Sequence, residues 1–188
     1  MSALPFTRHP SLVTRHSSHP LVRLAADAIE AFVRSRTTIA PPPDLFEQHP
    51  PAQRRAGVFV CLKTRGQLRG CIGTTEPTKE TLAVEVIANA VAAASRDPRF
   101  SQVRVDELYE LEITVDVLSE PEPVADRSQL DHTHYGVIVR AGARRGVLLP
   151  DIEHVESVEQ QLQAVRMKAD IGPHEAMEPF RFEVTRYR

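Results

Sequence analysis

The chain has 188 residues, 41% of them hydrophobic, with a net charge of −2 and a pI of about 6.4. That length suits one large domain or two small lobes sharing a core, and the charge balance argues against an extended nucleic-acid surface. No apolar run is long enough to span a bilayer, no signal-peptide core accompanies Arg8 and Arg15, and the only cysteines are Cys61 and Cys71, so a cytoplasmic protein with reduced thiols is expected.

Residues 1–19 are rich in Ser, Pro, His and Arg and read as a mobile tail. His9, His16 and His19 are too irregularly spaced to favour a metal tract. The first helix is predicted from Pro20 to Arg36, with Leu21, Ala25, Ile29 and Val33 as its apolar stripe and Ser18 as N-cap. Pro41-Pro42-Pro43 then open an extended linker. A hairpin follows from Gly57 to Thr74. Its strands are Gly57–Lys63 and Leu68–Gly73, turned at Arg65-Gly66. A loop of those two residues alone sets Val60 against Cys71 and Cys61 against Gly70. The two thiols then face opposite ways and cannot bridge. A three-residue loop puts them on one face, still offset along the ladder. Cys61 is read as a small buried hydrophobe.

Thr78 is the expected cap of the second helix, with Glu80 in its first turn. Leu82, Val86, Ala90 and Ala93 form its stripe, and Asp97-Pro98 stops it. Leu111, Ile113, Val115 and Val117 alternate with Glu112, Thr114 and Asp116, which describes a half-buried strand with a wet, acidic face. The order then recurs. Gly136–Val139 echoes Gly57–Val60, Gly146–Leu149 returns, Ser157 and Gln160 have capping-box spacing, a helix reaches about Asp170, and Phe180, Phe182 and Val184 mark a last strand. The expected fold is therefore α+β: a single compact domain at 20–188, with two related hairpin–helix–strand lobes (about 20–123 and 124–188) sharing a mixed, largely antiparallel sheet.

The stretch Leu68-Arg69-Gly70-Cys71-Ile72-Gly73 stands out, because glycines inside a strand mark a bulge or a close approach. Two readings of Cys71 stand side by side. In one it is a reactive thiol, its thiolate favoured by Arg69 on the same face and by the N-terminus of the following helix. In the other it packs in the sheet and the glycines serve a bulge.

The chain resembles the AmmeMemoRadiSam system protein A family, or AMMECR domain. The resemblance is carried by Leu68–Gly73, Asp97-Pro98-Arg99-Phe100, Tyr135–Val139, Gly146–Asp151, Lys168-Ala169, Ile171-Gly172-Pro173 and Phe180-Arg181-Phe182. It implies a two-lobed α+β fold and association with a Memo-like protein and a radical SAM protein. It implies no established activity. It also implies glycine at two positions where this chain has His154 and Asp170, the second at a helix end.

Two functions are expected as alternatives. One is an enzyme or substrate-handling protein using Cys71 as nucleophile or covalent carrier, with Arg69 beside it and Gly70, Gly73 and Arg99 binding a small-molecule or protein substrate. The other is a non-catalytic module or adaptor that docks a Memo-like or radical SAM partner. Cys71 is expected at the edge of a cleft between the lobes, with Arg69 pointing in, Arg99 bordering it as an anion binder, and Leu68 and Ile72 facing apolar packing on the other side. His132 and His134 could approach Cys71 only through the fold. Glu110, Glu112 and Asp116, like Arg54-Arg55 and Arg144-Arg145, read as solvated charge. No phosphate loop, dinucleotide fingerprint, zinc spacing or iron–sulfur signature occurs, so no cofactor and no metal are expected.

Overall fold

The computed structural model describes residues 19–188, so the tail with His9, His16 and the Ser18 cap lies outside the described residues. Helix α1 spans Pro20–Ser35, and its cap is His19, whose Nδ1 accepts from the Leu21 N–H at 3.3 Å. Leu21, Ala25, Ala28 and Ile29 of its stripe are fully buried. A four-residue helix α2 (Leu45–Gln48) and a 3-10 turn (Pro50–Gln53) follow the prolines.

Strands β1 (Val58–Thr64) and β2 (Gln67–Thr74) form the first hairpin. The turn is the expected two residues, with φ of 53° at Arg65 and 78° at Gly66, as a type I′ turn requires. Helix α3 runs Leu82–Ser95 and starts later than expected: Thr81 is its cap, accepting from the Val84 N–H at 3.3 Å. Thr78 instead serves Glu85. The hydroxyls of Thr74 and Thr78 and the backbone N–H groups of Thr78 and Lys79 all donate to the Glu85 carboxylate at 2.7–2.9 Å. Burial pushes that carboxyl up, but these hydrogen bonds outweigh it and hold Glu85 below the usual carboxylate range.

A 3-10 stretch (Val105–Glu110) leads into β3 (Leu111–Leu118). The two-residue β4 (Glu122–Pro123) and the hairpin β5 (Tyr135–Ala141) and β6 (Arg144–Leu148) follow. Helix α4 (Val158–Lys168) is capped by Ser157, and β7 (Glu178–Tyr187) ends the fold. The α4 terminus is a Schellman arrangement. Asp170 sits at φ 54°, the Ile171 N–H donates to Arg166 O at 3.0 Å, and the Asp170 N–H donates to Met167 O at 3.2 Å. His154, the other glycine-like position, also has a positive φ, 68°.

The chain forms two compact units. Among the described residues, one holds those up to Asp116 together with Arg186–Arg188, and the other holds Val117–Thr185. In the first, strands lie in the order β2-β1-β3, and α3 packs on β1, β2 and α1. Val58, Val60 and Leu62 of β1 and Leu111, Ile113 and Val115 of β3 are buried with Val86 and Ala90 of α3. Each of these Val, Leu and Ile side chains contributes about 1.5–3 kcal/mol by leaving water. In the second, β5 lies between β6 and β7, β4 adds to β7, and α4 covers β5 and β6. Val137, Val139, Leu148, Leu162, Val165 and Ala169 form its core. Strands β3 and β7 pass from one unit into the other. The architecture is α+β with antiparallel pairing in both hairpins.

Candidate site at the first hairpin

The ladder between β1 and β2 starts as the loop length dictates, with Thr64 opposite Gln67 and Lys63 opposite Leu68. Then it slips. Leu62 lies opposite Gly70, so Arg69 is an extra residue, a bulge on β2. Beyond it every pair is displaced by one, and Cys61 stands directly opposite Cys71. This overturns the expectation that the thiols face opposite ways. They share one face, and each is partly exposed. Cys61 is therefore not a buried hydrophobe.

The outer edge of β2 at Cys71 is held by the segment that follows α3. Asp97 is buried, and its Oδ2 accepts the Cys71 N–H at 2.8 Å. Arg99 forks onto the same carboxylate, Nε to Oδ1 at 2.9 Å and Nη2 to Oδ2 at 2.7 Å, and Nη2 also donates to Cys71 O at 3.3 Å. The Asp97 Oδ1 accepts the Arg99 N–H at 3.1 Å, closing a turn. Asp97 thus does more than stop the helix. The Arg99 guanidinium holds the Asp97 carboxyl well below the usual carboxylate range, helped by the N–H groups of Cys71 and Arg99 and opposed by burial.

The two thiols interact. Cys71 donates its S–H toward Cys61, which brings the Cys61 thiol down to about 7 and pushes Cys71 far up. Burial and the Asp116 carboxylate oppose ionisation of both, Lys63 and Arg186 favour it at Cys61, and Arg99 favours it at Cys71. The pair releases one proton readily and holds the second. Asp116 is not solvated as expected. It is buried and forked by Arg186, Nε to Oδ1 and Nη2 to Oδ2, both at 2.8 Å.

The structure reassigns several expected roles. Arg69 does not serve the thiol. Its guanidinium forks onto Glu107 at 2.7 and 3.1 Å and donates to the carbonyls of Ser101 at 2.9 Å and Gln102 at 3.3 Å. The bulge has re-aimed it. The arginine whose charge favours the Cys71 thiolate is Arg99. Gly70 and Gly73 do not leave open backbone. A Cβ on Gly70 would collide with the Ala93 carbonyl of α3, and one on Gly73 would collide with the Phe59 ring. The helix contact also reverses the dipole argument, since Ala93 lies in the last turn of α3 and not the first. Leu68 is not in apolar packing. It pairs with Lys63 and is 39% exposed. Ile72 pairs with the fully buried Val60, on the face expected for it. His132 and His134 belong to the second unit, where His134 packs edge-on against Tyr135 and lies 3.8 Å from Glu183. Among the described residues no three His, Cys, Asp or Glu side chains gather as a metal would need, and no helix is long and apolar enough to cross a membrane.

Sequence comparison places these blocks among known proteins. The AMMECR1 family model matches residues 22–188. A protein of Thermotoga maritima is 51% identical over 176 residues, covering 90% of this chain and 98% of the relative. A Clostridium acetobutylicum protein is 42% identical over 174 residues, covering 93% of this chain and 37% of the relative. The crystal structure of an uncharacterised protein from Pyrococcus horikoshii superposes with a TM-score of 0.81 at 31% identity, covering 88% of each chain. The match runs through both hairpins and both of the longer helices that pack on them, and the chain belongs to the AMMECR1 family.

Proposed function

We propose that this protein handles its substrate covalently through the thiol pair on β1 and β2, with Cys71 as nucleophile or carrier and Arg99 meeting an anionic group of the substrate. The observation that carries this is the double hold on Cys71. Its N–H goes to Asp97 and its C=O to Arg99, while the residue stays partly exposed. That fixes the sulfur without enclosing it, as a nucleophile needs. The Arg99 side chain is 54% exposed and keeps a face toward solvent while bound to Asp97. Gly70, Gly73 and Arg69 then act as support: the glycines admit α3 and Phe59, and Arg69 ties β2 to the segment before β3.

In this reading the protein is a cytoplasmic component of a radical-SAM-linked system, working beside a Memo-like protein and a radical SAM protein. The family resemblance supports that company. A second reading, a docking module for the same partners, draws on the exposed Leu68 at the edge strand β2. One experiment separates them: co-purification with each partner and measurement of the system's output, using the wild-type chain and Cys71→Ser. Output lost while fold and partner binding persist supports the thiol. Output and binding both unchanged overturns it and leaves the docking module.

A further inference from the structure

Cys61 and Cys71 are the only cysteines in the chain, and the bulge at Arg69 sets them face to face. Both outward groups of Cys71 are taken, its N–H by Asp97 and its C=O by Arg99. The pair therefore exchanges no backbone hydrogen bonds with each other. It is the close type of antiparallel pair, with Cα atoms about 4.5 Å apart and side chains near each other. Disulfides form at Cα separations of about 4.4–6.8 Å, so this pair can bridge without moving either strand far. Uninterrupted pairing from the same turn would have set Cys71 against Val60, so the inserted residue is what creates the dithiol.

We propose that Cys61 and Cys71 are a thiol–disulfide exchange site that reduces a low-molecular-weight disulfide and closes to a cross-strand bridge. The proposal deepens the reading above and rests on it in one respect, that the sulfurs are accessible to a substrate. Exchange proceeds in two displacements. The thiolate of the pair attacks one sulfur of the small disulfide, forming a mixed disulfide and releasing one thiolate. The facing cysteine then loses its proton to that thiolate or to water, attacks the sulfur that carries the adduct, and expels the second thiolate. In sum, two protein thiols and one disulfide give one protein disulfide and two small thiols, and two electrons pass to the substrate. The two attacks come in sequence because the facing thiols share a proton, so the pair offers one thiolate at a time, and Arg99 favours it at Cys71. Closure also removes Cys71 from any other covalent task until a reductant reopens the bridge.

The test uses the full chain and glutathione disulfide. After incubation the protein is quenched in acid, treated with N-ethylmaleimide and weighed intact. The expected wild-type product is two hydrogens lighter than the dithiol chain, carries neither glutathione nor maleimide, and runs as a monomer on a non-reducing gel. Cys61→Ala and Cys71→Ala should each stop at one bound glutathione. A wild-type chain that retains two glutathiones, forms disulfide-linked dimers, or keeps both thiols open to maleimide in excess glutathione disulfide overturns the proposal. The wild-type mass needs no variant to fold. The result is also separable from the partner experiment. A chain that bridges while Cys71→Ser keeps full output retains the exchange site and loses the covalent role. One that never bridges while Cys71→Ser loses output does the reverse.

Discussion

In both hairpins an arginine–glycine step on the returning strand lies under a helix. Gly70 faces the Ala93 carbonyl of α3, and Gly146 faces the Val165 carbonyl of α4. The residue after each glycine has its carbonyl bound by a cation, Cys71 by Arg99 at 3.3 Å and Val147 by the Lys168 ammonium at 3.2 Å. The ladders differ. In the second hairpin they run unbroken from Ala141 opposite Arg144 to Val137 opposite Leu148. In the first a bulge shifts the register after two pairs. The cross-strand pair next to the glycine is accordingly Ile138–Val147 in one hairpin and Cys61–Cys71 in the other. The lesson is that the glycine belongs to helix packing, which both hairpins need, whereas the bulge, the thiols and the Asp97 anchor belong to the first alone and mark where its special chemistry lies.

The largest effect should come from what the hairpins share. Gly70→Ala and Gly146→Ala each drive a methyl group into a helix carbonyl, which backbone cannot yield cheaply. Each should cost about 3 kcal/mol or more in denaturant unfolding. A Gly70→Ala chain as stable as wild type would mean that the glycine serves the thiol rather than the helix, and the comparison would break.

A smaller effect should come from what they do not share. Asp97→Ala strands the Cys71 N–H and frees Arg99, and should cost about 2–3 kcal/mol. Lys168→Ala, which removes one exposed hydrogen bond from the matching carbonyl, should cost less than about 1 kcal/mol. The Asp97 contribution has a defined pH sign. Its folded carboxyl is depressed, so its stabilisation is fully present above the unfolded value of about 3.9 and is lost as pH falls through the folded value. Acid unfolding of Asp97→Ala should therefore fall off less steeply than that of wild type. Parallel acid titrations of the two chains would sink this account of the anchor.

Much of this plan is legible in the residues alone, and the register at the thiols is not. The apolar stripe of α1, the alternation of β3 as far as Val115, the repeat of Gly57–Val60 in Gly136–Val139 and the two-residue turn at Arg65-Gly66 are periodicities or turn chemistry, which the chain displays directly. The turn count was right as far as Lys63 opposite Leu68. It failed at Arg69, because a bulge is settled by what an edge strand finds outside itself, here Glu107 and the carbonyls of Ser101 and Gln102, more than thirty positions along the chain. One residue then moved Cys71 to face Cys61. The glycines beside it were a correct signal of a bulge or close approach, read with the wrong partner. The sequence presents Asp97 and Arg99 as separate features, a stop and an anion binder. Their joint hold on Cys71 depends on a loop bringing positions 71 and 97 together, which no spacing announces.

The helix ends that close the two lobes' first packing layers sharpen the comparison at its finest scale. Helix α3 is capped by Arg96 at φ −130°, on the negative side and outside the left-handed region, and the chain passes directly into the Asp97 turn. Helix α4 ends in a Schellman arrangement that needs a left-handed residue, and Asp170 takes that place at φ 54°. An L residue there crowds its Cβ against the backbone, at a cost that short polar side chains reduce but do not abolish. Glycine has no such cost. Asp170→Gly keeps the Asp170 carbonyl, which accepts from Arg144, and the 3.0 Å bond from Ile171 to Arg166 O, so nothing in the native contacts offsets the relief. It should raise stability by about 0.5–1 kcal/mol. Arg96→Gly relieves no left-handed strain, because φ there is negative, and it loosens the unfolded chain, so it should lower stability by about 0.5–1 kcal/mol. Thermal unfolding of the two variants under one condition reads both signs. Equal shifts in the same direction would mean that the two helix ends are interchangeable, and that the left-handed residue at α4 carries no strain worth removing.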